Sequence, residues 1–254
     1  MEVKAKKYLG QHFLTDENVA RAIAETLPQG TGIRVLEVGP GMGVLTKYLR
    51  EIHGSRLMAV EVDAESVDYL RQNLPDVNVV FGDFLKLNVN DYFGEENFMV
   101  IGNYPYNISS QIFFRVLEMR DRIPVCSGMI QKEVAERIAA KPGSKTYGIT
   151  SVLLQAFYDI EYVMTVHENV FNPPPKVKSA VIRMMRNNVH SLGCDESLFI
   201  TIVKTAFNQR RKTMRNSLRP MLTEVMMNAD IFNRRPETLT VGEFVELTNM
   251  ISNR

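Results

Sequence analysis

The chain has 254 residues, 45% of them hydrophobic and 23% charged, with a net charge of +1 at pH 7. That length suits one large domain with a smaller appendage, and the composition excludes a disordered polymer. No run approaches the roughly 18 consecutive apolar residues of a membrane helix, and the start, "MEVKAKKYLGQHF", is basic without the apolar core of an export signal. The expected compartment is the cytoplasm, with no membrane association.

From about residue 17 to 185, short apolar runs alternate with helix-like segments, the pattern of an α/β fold with a parallel sheet flanked by helices. Strands are predicted at "RVLEVG" (34–39), "RLMAVEV" (56–62), "VNVVFGD" (77–83), "FMVIGN" (98–103), "CSGMIQ" (126–131) and "SAVIRMM" (179–185). Helices are predicted between them at 44–52, 64–74 and 109–119, with Thr46 or Asp63 near plausible starts. The polar stretch "NNVHSLGCDES" (187–197) ends the strand signal, and helical periodicity follows. Two domains are therefore expected, residues 1–188 as a Rossmann-like catalytic domain and residues 189–254 as a small all-helical one. Two cysteines, Cys126 and Cys194, are too few for a disulfide framework, and the four scattered histidines lack ligand spacing, so reduced thiols and no metal are expected.

The turn "EVGPGMG" (37–43) joins the first of these strands to a helix through Gly39, Gly41 and Gly43, where missing side chains let backbone approach a ligand. The next two strands end in Glu61 and Asp83. An acid about 20 positions beyond such a turn is placed to accept hydrogen bonds from ribose hydroxyls. Asp83 can accept from an adenine amine, with Val62 and Phe84 on either side of the ring. Gly43 is followed by Val44, Leu45 and Thr46, so the G-x-G-x-x-G spacing of pyrophosphate binders is incomplete. A nucleoside cofactor without phosphates, S-adenosylmethionine, is favoured over a nicotinamide dinucleotide.

The loop "NYPY" (103–106) supplies the matching chemistry. An adenine exocyclic amine is a poor nucleophile because its lone pair is delocalised into the ring. The Asn103 side-chain oxygen and the Tyr104 carbonyl can accept its two N–H bonds, favour pyramidalisation and stabilise the positive charge that develops on nitrogen. Pro105 fixes the turn, and Tyr106 offers a ring face for a base rotated out of its stack.

The stretches "GQHFL", "EVGPGMGVLT", "NYPYNISS", "QKEVAERI", "FNPPPKVKSAVIR" and "AFNQRRKTMRNSL" closely resemble the bacterial small-subunit (16S) ribosomal RNA adenine dimethyltransferases, the kasugamycin-resistance methyltransferase family, almost end to end. The resemblance implies a class I S-adenosylmethionine-dependent methyltransferase: a mostly parallel seven-stranded sheet with an antiparallel final strand, and a small helical C-terminal domain. It implies two methylations on each of two adjacent adenosines in the 3′-terminal hairpin of the RNA, within a pre-ribosomal particle. A monomer is expected. The family's cofactor contacts fall on His12, Leu14, Gly39, Glu61, Asp83 and Asn103, and its second aromatic for the target base falls on Phe171. The family usually has Asn at His12 and Leu at Tyr104.

If residues 203–219 form one helix, Lys204, Asn208, Arg211, Arg215 and Arg219 share a face beside an apolar stripe of Val203, Phe207, Met214 and Leu218. With Arg210 and Lys212 this segment carries six cations and no acid, an electrostatic footprint for RNA phosphates. Lys4, Lys6 and Lys7 of the amino-terminal arm add charge, and the loop 141–148 is a candidate second contact. Two alternatives share parts of this pattern. One is a macrolide-resistance-type 23S RNA adenine methyltransferase, against which the tail motif argues. The other is a ribosome-assembly or transcription factor that has kept the fold without turnover.

Overall fold

The computed structural model describes residues 5–253; Lys4, one of the expected arm cations, lies outside them. The strands are β1 (Phe13–Leu14), β2 (Arg34–Val38), β3 (Leu57–Glu61), β4 (Asn78–Phe81), β5 (Phe98–Asn103), β6 (Val125–Gln131), β7 (Tyr158–Val166), β8 (Phe171–Asn172) and β9 (Ser179–Arg186). Seven of them form one sheet in the order β4-β3-β2-β5-β6-β9-β7, while β1 and β8 pair separately. The pairs from β4 to β6 are parallel and β9 runs antiparallel to β6, as the expected methyltransferase sheet requires.

Sequence explains this arrangement strand by strand. β2, β3 and β5 are covered on both faces, so they read as nearly unbroken apolar runs, and only Glu37, Glu61 and Asn103 interrupt them near their carboxyl ends. β7 was not among the predicted strands. Its sequence, "YDIEYVMTV", is buried at both ends and alternates half-buried and exposed positions between them along an edge of the sheet, and Asp159 and Glu161 in the exposed phase hide the apolar signal. The predicted helices appear at Thr46–His53, Ala64–Asn73 and Ser109–Glu118. Asp63 caps the second by accepting from the Glu65 amide at 3.4 Å.

The chain divides into two compact units, one made of the residues up to Ala135 with Ile160–Arg186, the other of Glu136–Asp159 with the residues from Asn187 onward. The first contains the parallel strands and their flanking helices. In the second, the helix Ile149–Gln155 packs with the helices Glu196–Asn208 and Val241–Ser252. Phe199, Ile202, Phe244 and Leu247 are fully buried there, and Phe207 meets Tyr147 and Phe244 at ring separations of 6.1 and 6.0 Å. Thr240 and Glu243 close a capping box at the start of the last helix, and Glu243 also pairs with Arg234.

The single helix expected over 203–219 does not form. One helix ends at Asn208, a turn covers 209–213, and a short helix Met214–Ser217 follows. The expected apolar stripe is nevertheless buried: Val203, Met214 and Leu218 are wholly covered and Phe207 nearly so. The chain breaks where partners from elsewhere in the unit take hold. Arg210 donates to the Lys145 carbonyl, and the Met214 amide donates to Arg234 O at 2.8 Å. Thr213 is extended between the two helices.

Candidate active site

The carboxyl ends of β2, β3 and β5 open into a cavity of about 750 Å³, within the usual size for a small-molecule site. Gly39 and Gly41 have φ of 71° and 55°, left-handed conformations that favour glycine. They turn the backbone so that the Gly41 amide donates to Glu61 Oε2 at 3.0 Å. Glu61 Oε1 accepts from the amides of Val62 and Asp63 at 2.8 and 2.9 Å. Burial raises the Glu61 carboxyl above its ordinary value, against the pull of these amides. Oε1 thus accepts twice, whereas Oε2 accepts once and keeps a lone pair for a hydroxyl donor such as that of a ribose. Asp83 Oδ1 accepts from the Leu85 amide at 3.0 Å, and the residue lines the same cavity with Val62 and Phe84.

Glu37 is not among the residues that the sequence pattern marks for the site. It lies two positions before the glycine turn, is 1% exposed, and lines the cavity. Burial, with Glu61 nearby, pushes its carboxyl up to about 8, and Oε2 has no hydrogen-bond partner among the described residues. An orphaned acidic oxygen at the wall of a cavity suits a cationic ligand group such as an amino-acid ammonium. The signal in the sequence was an acid inside an otherwise apolar strand. A buried Glu61 with a lone pair free on Oε2, a wall-lining Asp83 and an orphaned Glu37 together fit S-adenosylmethionine. Among the described residues no cluster of three or more His, Cys, Asp or Glu could hold a metal ion.

Beside the cofactor-binding end, the loop after β5 is fixed atom by atom. Asn103 Nδ2 donates to the His12 carbonyl at 3.2 Å, which leaves Oδ1 as the acceptor of that side chain. The Tyr104 amide donates to Met129 O at 3.0 Å, and the Ile108 amide closes the turn on Pro105 O at 3.2 Å. Tyr106 OH lies 2.5 Å from Ser179 Oγ, and its ring stacks with His12 at 5.6 Å. His12 Nδ1 is 2.8 Å from Pro173 O. His12, Leu14, Gly39, Gly41, Glu61, Val62, Asp83, Phe84, Asn103, Tyr104, Pro105 and Tyr106 thus come together around one cavity. Phe171 does not line it: it is 5% exposed, paired with Leu14 across β1 and β8, and its neighbours Asn172 and Pro173 line the cavity instead. Gln11 and Ser179 carry no local signal, because their partners, Asp63 and Tyr106, lie far along the chain.

The arm before β1 is tied to the cofactor side. Lys6 Nζ lies 2.5 Å from Asp63 Oδ1 and 3.1 Å from Glu65 Oε1, so this cation faces acids rather than open solvent. Burial raises the Asp63 carboxyl, but Lys6, Ser66 and Gln11 outweigh it and hold the group below its ordinary value. In the second unit, Lys204, Arg211, Lys212 and Arg219 are exposed. Arg210 and Arg215 are half-buried and donate to backbone carbonyls, Arg210 to Lys145 O and Arg215 to Met227 O.

A parallel sheet ending in an antiparallel strand, with a glycine turn and acids at successive strand ends over one cavity, defines a class I S-adenosylmethionine-dependent methyltransferase. Residues 2–252 match the family model for ribosomal RNA adenine dimethylase. The chain belongs to that family, and it is an S-adenosylmethionine-dependent rRNA adenine dimethyltransferase. It is 61% identical over 250 residues to ribosomal RNA small subunit methyltransferase A of Parabacteroides distasonis, covering 97% of this chain and 93% of the relative. A crystal structure of a dimethyladenosine transferase from Plasmodium falciparum superposes with a TM-score of 0.82 at 21% identity, covering 95% of this chain and 98% of the other, and shares the fold. The 23S rRNA methyltransferase ErmE matches with a TM-score of 0.71 at 26% identity, covering 93% of this chain and 99% of the other.

Proposed function

We propose that the Asn103 side-chain oxygen and the Tyr104 carbonyl accept the two N–H bonds of a target adenine amine in the 3′-terminal hairpin of 16S rRNA. Two adjacent adenosines each receive two methyl groups, and the enzyme acts as a monomer on a pre-ribosomal particle. The observation that carries the chemical reading is the bond from Asn103 Nδ2 to the His12 carbonyl, because it orients the amide with Oδ1 left as acceptor. Likeness to the small-subunit enzyme over nearly the whole chain supports the choice of RNA.

S-adenosylmethionine supplies an electrophilic methyl group. Glu61 would accept from its ribose through Oε2, Asp83 would hold its adenine amine and Glu37 its ammonium. At the target, accepting both N–H bonds draws the amine toward a pyramidal geometry and frees its lone pair. The same two oxygens stabilise the positive charge that grows on nitrogen, and the proton is lost once that nitrogen has become cationic. No basic side chain is required. After the first transfer only one N–H remains, so one acceptor suffices for the second. Tyr106, fixed at its hydroxyl by Ser179, offers the stacking face for the extruded base. Lys204, Arg211, Lys212 and Arg219 supply phosphate contacts that position the RNA without reading its bases.

The test offers the enzyme unmethylated small-subunit particles, large-subunit RNA and DNA with labelled S-adenosylmethionine. Label should enter small-subunit RNA alone, as dimethyladenosine at two adjacent positions. Label confined to large-subunit RNA would favour a macrolide-resistance-type activity, and no label would favour an assembly factor without turnover.

A further inference from the structure

The side chain of Tyr104 has no part in the chemistry above, yet it is the most constrained group in the loop. Its ring is 1% exposed and lies against two glycines on neighbouring strands, Gly102 of β5 and Gly128 of β6. A Cβ built on Gly102 would fall 2.9 Å from Tyr104 Cε1 and 2.4 Å from Val38 O. One built on Gly128 would fall 2.6 Å from Tyr104 Cε2 and 2.3 Å from Gly102 O. No side chain fits at either position while the ring is there, so the strands carry a bare slot and the ring fills it.

The slot is closed on its remaining sides. Tyr104 OH donates to Ser127 O at 2.7 Å, and the Phe113 ring meets the Tyr104 ring edge-on at 5.6 Å and 83°. Ser127 is itself anchored, because its hydroxyl donates to Ile182 O at 2.9 Å on β9. At the other end of the residue, the Tyr104 amide is held by Met129 O at 3.0 Å. One residue is therefore gripped at its amide and its hydroxyl by β6, and at its ring by β5, β6 and Phe113. The next residue is Pro105, which confines the rotation that precedes it to extended values. With amide and ring held and the following bond confined, the direction of the Tyr104 carbonyl is set.

We propose that Tyr104 is a positioning residue whose seated ring aims its own carbonyl at the target amine, and that the glycine pair Gly102 and Gly128 is the seat. The proposal rests on the reading of that carbonyl as an acceptor. Leu at this position would leave part of the slot beside Gly128 empty and has no hydroxyl for Ser127, so the aromatic ring is what anchors the residue. A displacement of the carbonyl by a fraction of an ångström moves it out of hydrogen-bond geometry when the charge develops, and the cost falls on the chemical step rather than on binding.

The experiment compares Tyr104→Phe, Tyr104→Leu and Asn103→Ala with the unmodified enzyme, using small-subunit particles and labelled S-adenosylmethionine. Binding of S-adenosylmethionine by calorimetry counts the folded sites in each preparation. Per folded site, kcat should fall roughly threefold in the Phe variant and roughly tenfold or more in the Leu variant, with KM for particles and Kd for the cofactor within about twofold of the original. Unchanged kcat per folded site in both Tyr104 variants, with Asn103→Ala inactive, would overturn the seat while leaving Asn103 as acceptor. A loss appearing only in KM or in the count of folded sites would overturn it as well. Full activity in all three variants would remove both the seat and the acceptor reading beneath it.

Discussion

The loop after β5 and the basic segment around residue 210 are both short, polar and proposed to meet the RNA, yet they are built on opposite principles. The loop grows straight out of a buried strand. Asn103 ends the ladder, the Tyr104 amide takes one more bond from β6, and Pro105 turns the chain, so its geometry is dictated within a few residues. The basic segment has no strand to inherit. Its course is set by carbonyls far along the chain: Lys145 for Arg210, Met227 for Arg215 and Arg234 for the Met214 amide. Chemistry placed on a strand end is held by the sheet, whereas charge placed on a helix end is arranged by whichever partners reach it.

The sharpest way to break this comparison is at the strand end. Asn103→Ala removes the proposed acceptor, whose bond strengthens as charge develops, and kcat should fall by about 10²–10³ while particle binding persists. Single-turnover methylation and a binding measurement on the same particles separate the two effects. Retained turnover would show that the loop's rigidity serves something other than acceptance of the amine.

A second large effect is expected at Glu37, in the same set of strand ends. Its carboxyl stays protonated in the folded protein up to about pH 8, against 4.5 for the unperturbed group. Between those values the folded state binds a proton that the unfolded chain has released, so this group makes stability fall as pH rises from 4.5 to 8. Its share of that decline is on the order of 4 kcal/mol, most of it lost by pH 8. Glu37→Gln should remove the larger part of the slope, which urea denaturation of the cofactor-free enzyme between pH 5 and 8 will measure. The variant should also bind S-adenosylmethionine at least about tenfold more weakly, because an amide, unlike the carboxyl, cannot give up a proton to become the anionic partner of an ammonium.

How far the sequence discloses these features follows from the same distinction. The parallel strands were legible because strands buried on both faces must be apolar throughout, and Glu61, Asp83 and Asn103 stood out as polar ends of those runs. β7 escaped because an edge strand needs only every second residue to be apolar, and Asp159 and Glu161 occupy the other phase. Glu37 was in plain view but lay one strand pleat inside the turn that drew attention. Burial of Val203, Phe207, Met214 and Leu218 was legible from their spacing, whereas the break at 209–213 was not, since it depends on Arg234 and Lys145. The stacking of His12 on Tyr106 and the Ser179 hydroxyl at its rim join residues 94 and 73 positions apart, and no local pattern encodes such a pairing.

The smallest expected effects test the basic segment, and they separate cations that face solvent from cations that hold the unit together. Arg211 and Lys212 are exposed, and among the described residues no ion pair is formed by either. Replacing both with Ala should weaken particle binding and reduce the slope of log K against log salt by about 1.4 to 1.8, the contribution of two phosphate contacts. Arg215 is half-buried with a guanidinium nitrogen 2.5 Å from Met227 O. Arg215→Ala should leave the salt slope unchanged and instead lower the unfolding free energy by about 1–2 kcal/mol, because a partly buried carbonyl loses its donor. A filter-binding series from 50 to 300 mM salt, run beside urea denaturation, reads both quantities. If Arg215→Ala reduced the slope by nearly one unit at constant stability, its guanidinium would have to leave Met227 to meet the RNA. The two kinds of cation in the segment would then be one kind.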